Sequence, residues 1–409
     1  MQRLHYGDVG TGKTVVAMYA AVKAVENGLQ TAFLVPTRLL AEQHYRRWHN
    51  ALGKAGVRVG LLLGDDQDGS IRNQIACGEV DLVIGTHALL EATYSHLGLL
   101  VVDEQQRFGV EQRRYLAQRW PVHSLYLTAT PIPRSLALIL WGDLDISLMS
   151  TALQGRSSVL TRWVSPQQRE KLYAFLRKQV EQGGQAYVVF PRIEADNIPV
   201  PKNSGDEPVG GHTIGAIQGH KRLSLGALAG LEVHLLHGQM PVRAQEAIMS
   251  AFHTGDIDVL VSTTVIEVGV DVPNATTMII EGADMFGLAQ LHQLRGRVGR
   301  GCRQSYCLAV ADPKTQEAVQ RLRAFCSIDD GFALAEQDLV LRGPGELFGI
   351  RQSGYEEFRF TVFPTHLPLV QIASDDAQEL LAKDPELRSP ENASLLARLQ
   401  EVFPSLASE

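Results

Sequence analysis

A glycine-rich segment near the amino terminus has the residue types and spacing of a phosphate-binding loop. Residues 7–14 read Gly-Asp-Val-Gly-Thr-Gly-Lys-Thr and fit the pattern G-x-x-x-x-G-K-[ST]. In such a loop, backbone N–H groups surround a β-phosphate and the positive end of the following helix points at it. A chance match in a chain of this length is on the order of one in a hundred. The segment therefore predicts a nucleoside triphosphate site formed by Gly7, Gly10, Thr11, Gly12, Lys13 and Thr14.

A pair of acidic residues further along the chain fits the same chemistry. The apolar run Leu99–Val102 leads directly into Asp103 and Glu104. Asp103 would hold Mg²⁺ together with the Thr14 hydroxyl, and Glu104 would act as general base toward the attacking water. An acidic pair after a strand is weak evidence by itself, since it often only begins a loop. Together with the phosphate loop and Lys13, it predicts hydrolysis.

An arginine-rich segment lies in the second half of the chain, at Gln293–Arg300. Arg297 and Arg300 are three residues apart on a predicted helix, so both can face one neighbouring surface. If that surface is the nucleotide of the first domain, they are arginine fingers, each worth about 10³–10⁵ in rate. Hydrolysis would then depend on closure between domains, which is the requirement of a motor. A basic patch that binds a phosphate backbone, or nothing, is an equally good interpretation of this segment alone.

The alternation of short apolar runs with helical stretches predicts two consecutive α/β domains with mostly parallel sheets. We place the first domain at residues 1–150 and the second at 151–313, with a Gly/Pro/Ser-rich loop or insertion at about 196–225, followed by a helical region at 314–409. The order of the strands is not predicted. The expected strands are Thr31–Val35, Val57–Leu63, Asp81–Ile84, Gly98–Val102, Ser124–Leu127, Ala186–Phe190, Glu232–Leu236, Asp258–Val261, Thr276–Ile280 and Ser305–Val310.

Composition limits the classes of function. The 409 residues carry 38 Lys+Arg against 45 Asp+Glu, a net charge of −7, so any nucleic-acid surface must be local. Most of the basic clusters, taken alone, are best interpreted as solvated helix faces. The four cysteines lack a zinc-ligand spacing. With neither a signal peptide nor a membrane-spanning apolar run evident, we expect a cytoplasmic protein without membrane partners.

The order of motifs along the chain resembles that of superfamily 2 helicases. The segments that carry this likeness are residues 7–14, 36–43, 85–87, 103–106, 128–131, 262–271 and 293–300. Four further segments, 142–147, 235–240, 281–284 and 338–354, are similar to RecG-type DNA helicases. The last of these resembles the translocation motif that RecG shares with the transcription–repair coupling factor. Without the resemblance, its Gly and Pro residues favour a simple hinge.

The resemblance implies two tandem RecA-like P-loop domains with parallel sheets plus a small helical carboxyl-terminal region. It implies a monomeric, ATP- and Mg²⁺-dependent DNA helicase or translocase that remodels stalled forks and Holliday junctions in recombination and repair. The alternatives are a transcription–repair coupling translocase and a DNA-binding fragment that binds ATP without hydrolysing it. The implied nucleotide contacts are Gly269, Asp271 and Gln293; the implied DNA contacts are Thr37, Arg38, Thr86 and Thr264; and the implied coupling residues are Gln106, Thr128, Thr130, Arg342, Arg351 and Gln352.

The sequence departs from the family pattern in two places. RecG-type motors usually have histidine as the fourth residue of Asp-Glu-Gln-His, and this chain has Gln106, which cannot be protonated. We expect hydrolysis to survive this change. Only six residues precede Gly7. We therefore expect the motor portion alone, without the amino-terminal wedge domain, as a fragment or a truncated gene product.

Overall fold

The described part of the chain is built around two parallel β-sheets. The computed structural model describes residues 1–8, 10–64, 69–104, 122–128, 144–149, 158–194, 215–264, 272–342 and 367–402. The chain divides into two units. The first, Met1–Ile132 with Leu144–Leu341, holds both sheets, and the second, Pro133–Asp143 with Arg342–Glu409, holds the last described helices.

The first sheet has seven parallel strands in the order β3-β4-β2-β5-β6-β1-β7. All five strands predicted for this domain are present, with ends shifted by one or two residues. Strand β1 and the edge strand β7 were not among the predicted strands. Strand β7 is short and partly exposed, and its sequence has no continuous apolar run. The elements are β1 Gln2–Gly7, α1 Lys13–Glu26, β2 Gln30–Leu34, α2 Arg38–Leu52, β3 Val59–Leu62, α3 Ser70–Ala76, β4 Leu82–Gly85, β5 Leu97–Val102, β6 His123–Thr128 and β7 Asp145–Met149.

The central strand β2 is buried along its whole length. Phe33 packs edge-on against Trp48 of α2, with ring centroids 4.6 Å apart. Gln30 opens the strand, and its buried amide donates to the carbonyls of Ile75 at 2.9 Å and Val80 at 2.8 Å. A near-continuous buried run of this kind is typical of a parallel strand covered on both faces.

The second sheet has six parallel strands in the order β10-β11-β9-β12-β13-β8. Successive residues of β9 pack on opposite faces: Tyr187 and Val189 belong to one core, and Ala186 and Val188 to the other. The sheet is therefore covered on both sides. The elements are β8 Val159–Val164, α4 Arg169–Glu181, β9 Gln185–Val189, α5 Ala216–Leu225, β10 Val233–Leu236, α6 Val242–Thr254, β11 Val259–Ser262, β12 Ala275–Glu281, α7 Leu288–Arg295, β13 Ser305–Val310, α8 Gln316–Ser327 and α9 Gly331–Arg342.

The predicted loop at 196–225 is wrong over its last ten residues, which form helix α5. Gly219 is used there for close packing rather than for a turn, because a Cβ at this position would lie 2.3 Å from Cζ of Phe190. Residues 196–214 lie outside the described part. Strand β8 at the sheet edge was not predicted, since polar residues interrupt its apolar pattern.

The helical region predicted to start at residue 314 is divided in the structure. Leu322 and Phe325 of α8 and Leu334 of α9 are buried in the core of the second sheet. The first unit accordingly extends to Leu341. The remaining described helices are α10 Leu367–Lys383 and α11 Ala393–Val402. Within the described residues, the short 3₁₀ helices are Gly53–Ala55, His87–Glu91, Pro166–Gln168, Ala283–Met285 and Pro390–Asn392.

The turn after α10 is held by one carboxylate. Asp384 accepts hydrogen bonds from the backbone N–H groups of Arg388 and Ser389 and from the amide of Asn392. These hydrogen bonds, that of Asn392 above all, lower the pKa of Asp384 to about 2. Of the helices in the described ranges, none is both long enough and apolar enough to cross a membrane.

Candidate nucleotide and nucleic-acid site

The motif-bearing segments of the first domain lie at one edge of its sheet. Leu34 at the end of β2 pairs with Gly85 of β4 on one side and Val102 of β5 on the other. Beyond these ends, the N–H of Val35 donates to the Gly85 carbonyl at 2.9 Å and that of Asp103 donates to the Leu34 carbonyl at 2.9 Å. Carboxyl ends of parallel strands are where open α/β sheets place their ligands.

The phosphate loop joins β1 to α1 in the conformation that its glycines allow. Gly10 and Gly12 have φ values of 83° and 90°, which a side chain would strain. A Cβ at Gly7 would lie 2.7 Å from Oγ1 of Thr11. Thr14 lies in the first turn of α1, directly after Lys13. The loop thus presents a narrow backbone cradle at a helix N-terminus, which suits a phosphate group.

Lys13 is held by its own loop. Its ammonium group donates to the carbonyls of Gly7 and Asp8, each at 2.7 Å. Burial is the main cause that lowers the pKa of Lys13, and the positive charge of Arg300 lowers it further. The carboxylates of Glu104 and Asp103 act in the opposite direction. Charged groups predicted from two other segments, residues 103–104 and 293–300, therefore act on the ammonium group of Lys13.

The acidic pair after β5 has a defined local geometry. The N–H of Glu104 donates to Oδ1 of Asp103 at 2.9 Å. Glu104 has a φ of 52°, an uncommon backbone conformation for a residue with a side chain. Such strained residues cluster at functional sites, where the surrounding structure enforces them.

His44 was not among the site residues predicted from the sequence. Its Nε2 lies 3.6 Å from Oδ2 of Asp103, and its ring packs against Phe33 and Trp48. His44 lies four residues from both Leu40 and Trp48, which are buried on α2. This spacing predicts that His44 faces inward, but the sequence does not identify the carboxylate that it meets.

The arginine segment differs from its prediction in one respect. Helix α7 ends at Arg295, so Arg297 and Arg300 follow the helix rather than lie on it. Gly299, with a φ of 78°, turns the chain between them. Arg297 is 5% exposed. Arg300 donates to the Gly296 carbonyl at 3.1 Å and is the arginine whose charge reaches Lys13.

The predicted DNA contacts have structural partners of their own. Thr37 caps α2 by accepting from the N–H of Leu40 at 3.4 Å. Arg38 pairs with Glu42 one turn along the same helix at 2.9 Å. Thr86 follows β4, next to β2 in the sheet, whereas Thr264 follows β11 of the second sheet. The structure thus brings the segments of Thr37 and Thr86 together.

Some of the other predicted site residues lie within the described ranges of the chain. Thr128 is buried in β6, where it pairs with Tyr6 of β1. Gln293 is partly buried on α7, and Arg342 is the last residue of α9. The remaining predicted residues lie outside the described ranges: Gln106, Thr130, Gly269, Asp271, Arg351 and Gln352.

Three family profiles match the chain in succession. Residues 4–139 match the DEAD/DEAH box helicase family, and residues 167–302 match the helicase conserved C-terminal domain. Residues 328–405 match the profile of the ATP-dependent DNA helicase RecG, domain 3, C-terminal. The third profile distinguishes this chain from helicases in general.

Curated relatives extend the match over nearly the whole chain. The ATP-dependent DNA helicase RecG of Synechocystis sp. is 43% identical over 399 residues, covering 95% of this chain and 46% of the relative. RecG of Thermotoga maritima is 43% identical over 403 residues, covering 97% of this chain and 50% of the relative. The chain thus spans about half the length of the curated relatives that it matches.

Solved structures agree with the sequence comparisons. A structure of RecG bound to a three-way DNA junction is 41% identical, with a TM-score of 0.72, over 90% of this chain and 47% of that chain. The S. cerevisiae Dbp5 bound to RNA and ADP BeF3 shares the fold at 15% identity, with a TM-score of 0.58, over 83% of this chain and 88% of that chain. By sequence and fold, the chain is similar to the motor portion of RecG-type helicases over nearly its whole length.

Proposed function

We propose that the chain is an ATP-driven DNA motor whose hydrolytic site is shared by its two α/β domains. One observation carries the proposal: Asp103, Glu104 and Arg300 all act electrostatically on Lys13. Arg300 belongs to the second domain, and the other three residues belong to the first. A site built in this way hydrolyses ATP only when both domains are in place, so hydrolysis is tied to domain movement.

Each residue has a role that follows from its position. Lys13 exchanges its two carbonyl partners for the β- and γ-phosphates of ATP. Glu104, held beside Asp103 in its strained conformation, orients the attacking water and takes its proton. Arg300 stabilises the charge that develops on the phosphoryl group, an effect worth about 10³–10⁵ in rate. Arg297 is more deeply buried, and we assign it a supporting role.

The residues present fit a magnesium ion. The Asp103 carboxylate and the Thr14 hydroxyl are the oxygen ligands that Mg²⁺ prefers, and one Asp103 oxygen is already oriented by the N–H of Glu104. Bound there, Mg²⁺ would neutralise phosphate charge. His44 contacts the other oxygen of Asp103 and thereby positions the carboxylate.

We propose that DNA binds at the carboxyl ends of the strands of the first sheet, where Thr37, Arg38 and Thr86 lie. The amino-terminal end of α2 and the turn after β4 present backbone N–H groups there, which suit phosphates of a nucleic-acid backbone. The RecG structure that this chain resembles is bound to a three-way DNA junction. That likeness favours branched DNA, such as stalled forks and Holliday junctions, and a role in recombination and repair.

The other assignments rest on family resemblance alone: nucleotide contact by Gly269, Asp271 and Gln293, DNA contact by Thr264, and coupling by Gln106, Thr128, Thr130, Arg342, Arg351 and Gln352.

The test is ATP hydrolysis by the full chain without DNA, with linear duplex and with a three-way junction. We expect the junction to stimulate turnover most, and Lys13→Ala to abolish turnover under all conditions. Lys23→Ala is the matched control, since Lys23 is an exposed lysine on the same helix that pairs with Glu26. Binding of ATP without turnover in the unmodified chain would instead identify a hydrolysis-deficient DNA-binding module.

A further inference from the structure

The side chain of Asp8 joins the phosphate loop to two further elements. Its Oδ1 accepts a hydrogen bond from Nε2 of His292 on α7 at 2.6 Å. Its Oδ2 accepts from the N–H of Gly331, the first residue of α9, at 3.0 Å. Beside them, Tyr6 of β1 packs edge-on against Phe332, with ring centroids 4.7 Å apart. The phosphate loop is thus attached to both α7 and α9.

The tautomer of His292 follows from its second neighbour. Nη2 of Arg295 lies 2.9 Å from Nδ1 of His292, and a guanidinium group only donates. Nδ1 therefore accepts, and Nε2 carries the hydrogen that is donated to Asp8. Arg295 also donates to the carbonyls of Phe325, Ile328 and Asp329, between 2.9 and 3.1 Å away. The Arg295 side chain is buried and holds the end of α8.

The main chain of Asp8 belongs to the phosphate loop itself. Its carbonyl accepts from the Lys13 ammonium group at 2.7 Å and from the Thr11 hydroxyl at 2.9 Å. One residue therefore holds the phosphate-binding lysine with its backbone and the second domain with its side chain. A shift of α7 or α9 would therefore reach Lys13 by way of Asp8.

We infer that Asp8, His292 and Gly331 form a coupling junction through which the second domain and α9 set the position of the phosphate loop. Asp8 is thus a positioning residue for hydrolysis. Helix α9 contains Asp338–Arg342, where the translocation-type segment begins. The inference rests on the proposed function: DNA engaged by the second half of the chain would stimulate hydrolysis by way of this junction.

The packing around Gly331 leaves no room for a side chain between His292 and Asp8. A Cβ at this residue would lie 2.6 Å from Nε2 of His292 and 2.7 Å from Oδ2 of Asp8, so any side chain would push the two partners apart. Gly53 offers a matched control. It also begins a short helix, its φ is −58°, and a Cβ there would meet nothing within 4 Å.

The first experiment compares Gly331→Ala and Gly53→Ala in the full chain. ATP hydrolysis is measured without DNA and with a three-way junction. We expect Gly331→Ala to lower the ratio of DNA-stimulated to DNA-independent rate by about 10- to 100-fold, the range for one hydrogen bond to a charged group. Gly53→Ala is expected to match the unmodified chain in both rates.

A double-mutant cycle separates coupling from independent effects. Asp8→Ala, His292→Ala and the double variant are compared by the ratio of DNA-stimulated to DNA-independent rate. If the pair acts as one junction, the double variant loses no more stimulation than the more affected single variant. Hydrogen exchange at the N–H of Gly331 should increase in Asp8→Ala, and it needs neither DNA nor nucleotide.

The outcomes distinguish this inference from the proposed function. If the unmodified chain shows no stimulation by DNA, the proposed function is overturned and the inference with it. Suppose instead that DNA stimulates the unmodified chain and Gly331→Ala equally, or that the losses in the cycle multiply independently. Then the junction is only a packing contact, the inference is overturned, and the proposed function stands.

Discussion

Replacing Glu281 with glutamine is expected to destabilise the second domain by about 3 kcal/mol. Glu281 ends the central strand β12, and its side chain is 5% exposed. Its carboxylate accepts from Nη2 of Arg169 at 2.8 Å, from Nε of Arg169 at 3.0 Å and from the Tyr173 hydroxyl at 2.5 Å. Arg169 and Tyr173 are one turn apart on α4, so the carboxylate fastens this helix to the sheet.

The magnitude follows from the burial of the two partners. Removing one member of a buried ion pair costs about 3–5 kcal/mol, because the other charge stays buried without compensation. The Arg169 side chain is 29% exposed, so water can partly hydrate its guanidinium group. This favours the lower end of the range. The neutral amide of glutamine also presents N–H groups to a site that contains only donors.

The assay is urea unfolding followed by tryptophan fluorescence, to which Trp163 on β8 of the same sheet contributes. Glu232→Gln is the control, since that side chain is 72% exposed and its loss should change stability by less than about 0.5 kcal/mol. Replacing both partners, with Arg169→Met and Glu281→Leu, should recover most of the loss, because no unpaired charge is then buried. A cost below about 1 kcal/mol for Glu281→Gln would refute this reasoning.

Three further predictions concern the site and the pH dependence of stability. Arg300→Ala should lower kcat for ATP by about 10³-fold or more in a coupled ATPase assay, and a loss of less than about tenfold would reject Arg300 as the finger. His44→Phe keeps the aromatic packing but loses the contact with Asp103, so the Mg²⁺ concentration for half-maximal hydrolysis should rise about 10- to 100-fold; an unchanged Mg²⁺ dependence would argue against this role. Burial raises the pKa of Tyr173 above its usual value, with Glu281 adding to the effect. The unfolded chain therefore loses this proton first, and stability should fall above about pH 10 by up to 1.4 kcal/mol per pH unit relative to Tyr173→Phe, measured by urea unfolding between about pH 9 and 11.

The sequence by itself determined the elements whose signals are local. The spacing of residues 7–14 predicted the phosphate loop, because its chemistry depends on glycines and a lysine that are neighbours in the chain. Buried parallel strands read as short apolar runs, so nearly all central strands were predicted to within two residues. Edge strands β7 and β8 escaped prediction, since polar residues interrupt their short apolar runs.

Strand order and the partners of buried polar groups were decided by the tertiary structure. Nothing in the spacing of the chain places β1 between β6 and β7, or predicts that α8 and α9 join the second core. Gly219 lies in a segment that was predicted to be a loop, and no role was predicted for Gly331 from the sequence. Both instead allow close packing against a side chain from another segment.

Asp8 and His292 illustrate the difference most clearly. They are 284 residues apart in the chain, yet their side chains are 2.6 Å apart in the structure. A local sequence pattern indicates which residues can bind a phosphate group or cap a helix. It does not indicate which distant carboxylate a buried histidine contacts, because that contact depends on how whole helices and strands pack together. The sequence therefore determined the chemistry of the phosphate loop, and the tertiary structure decided what the loop is attached to.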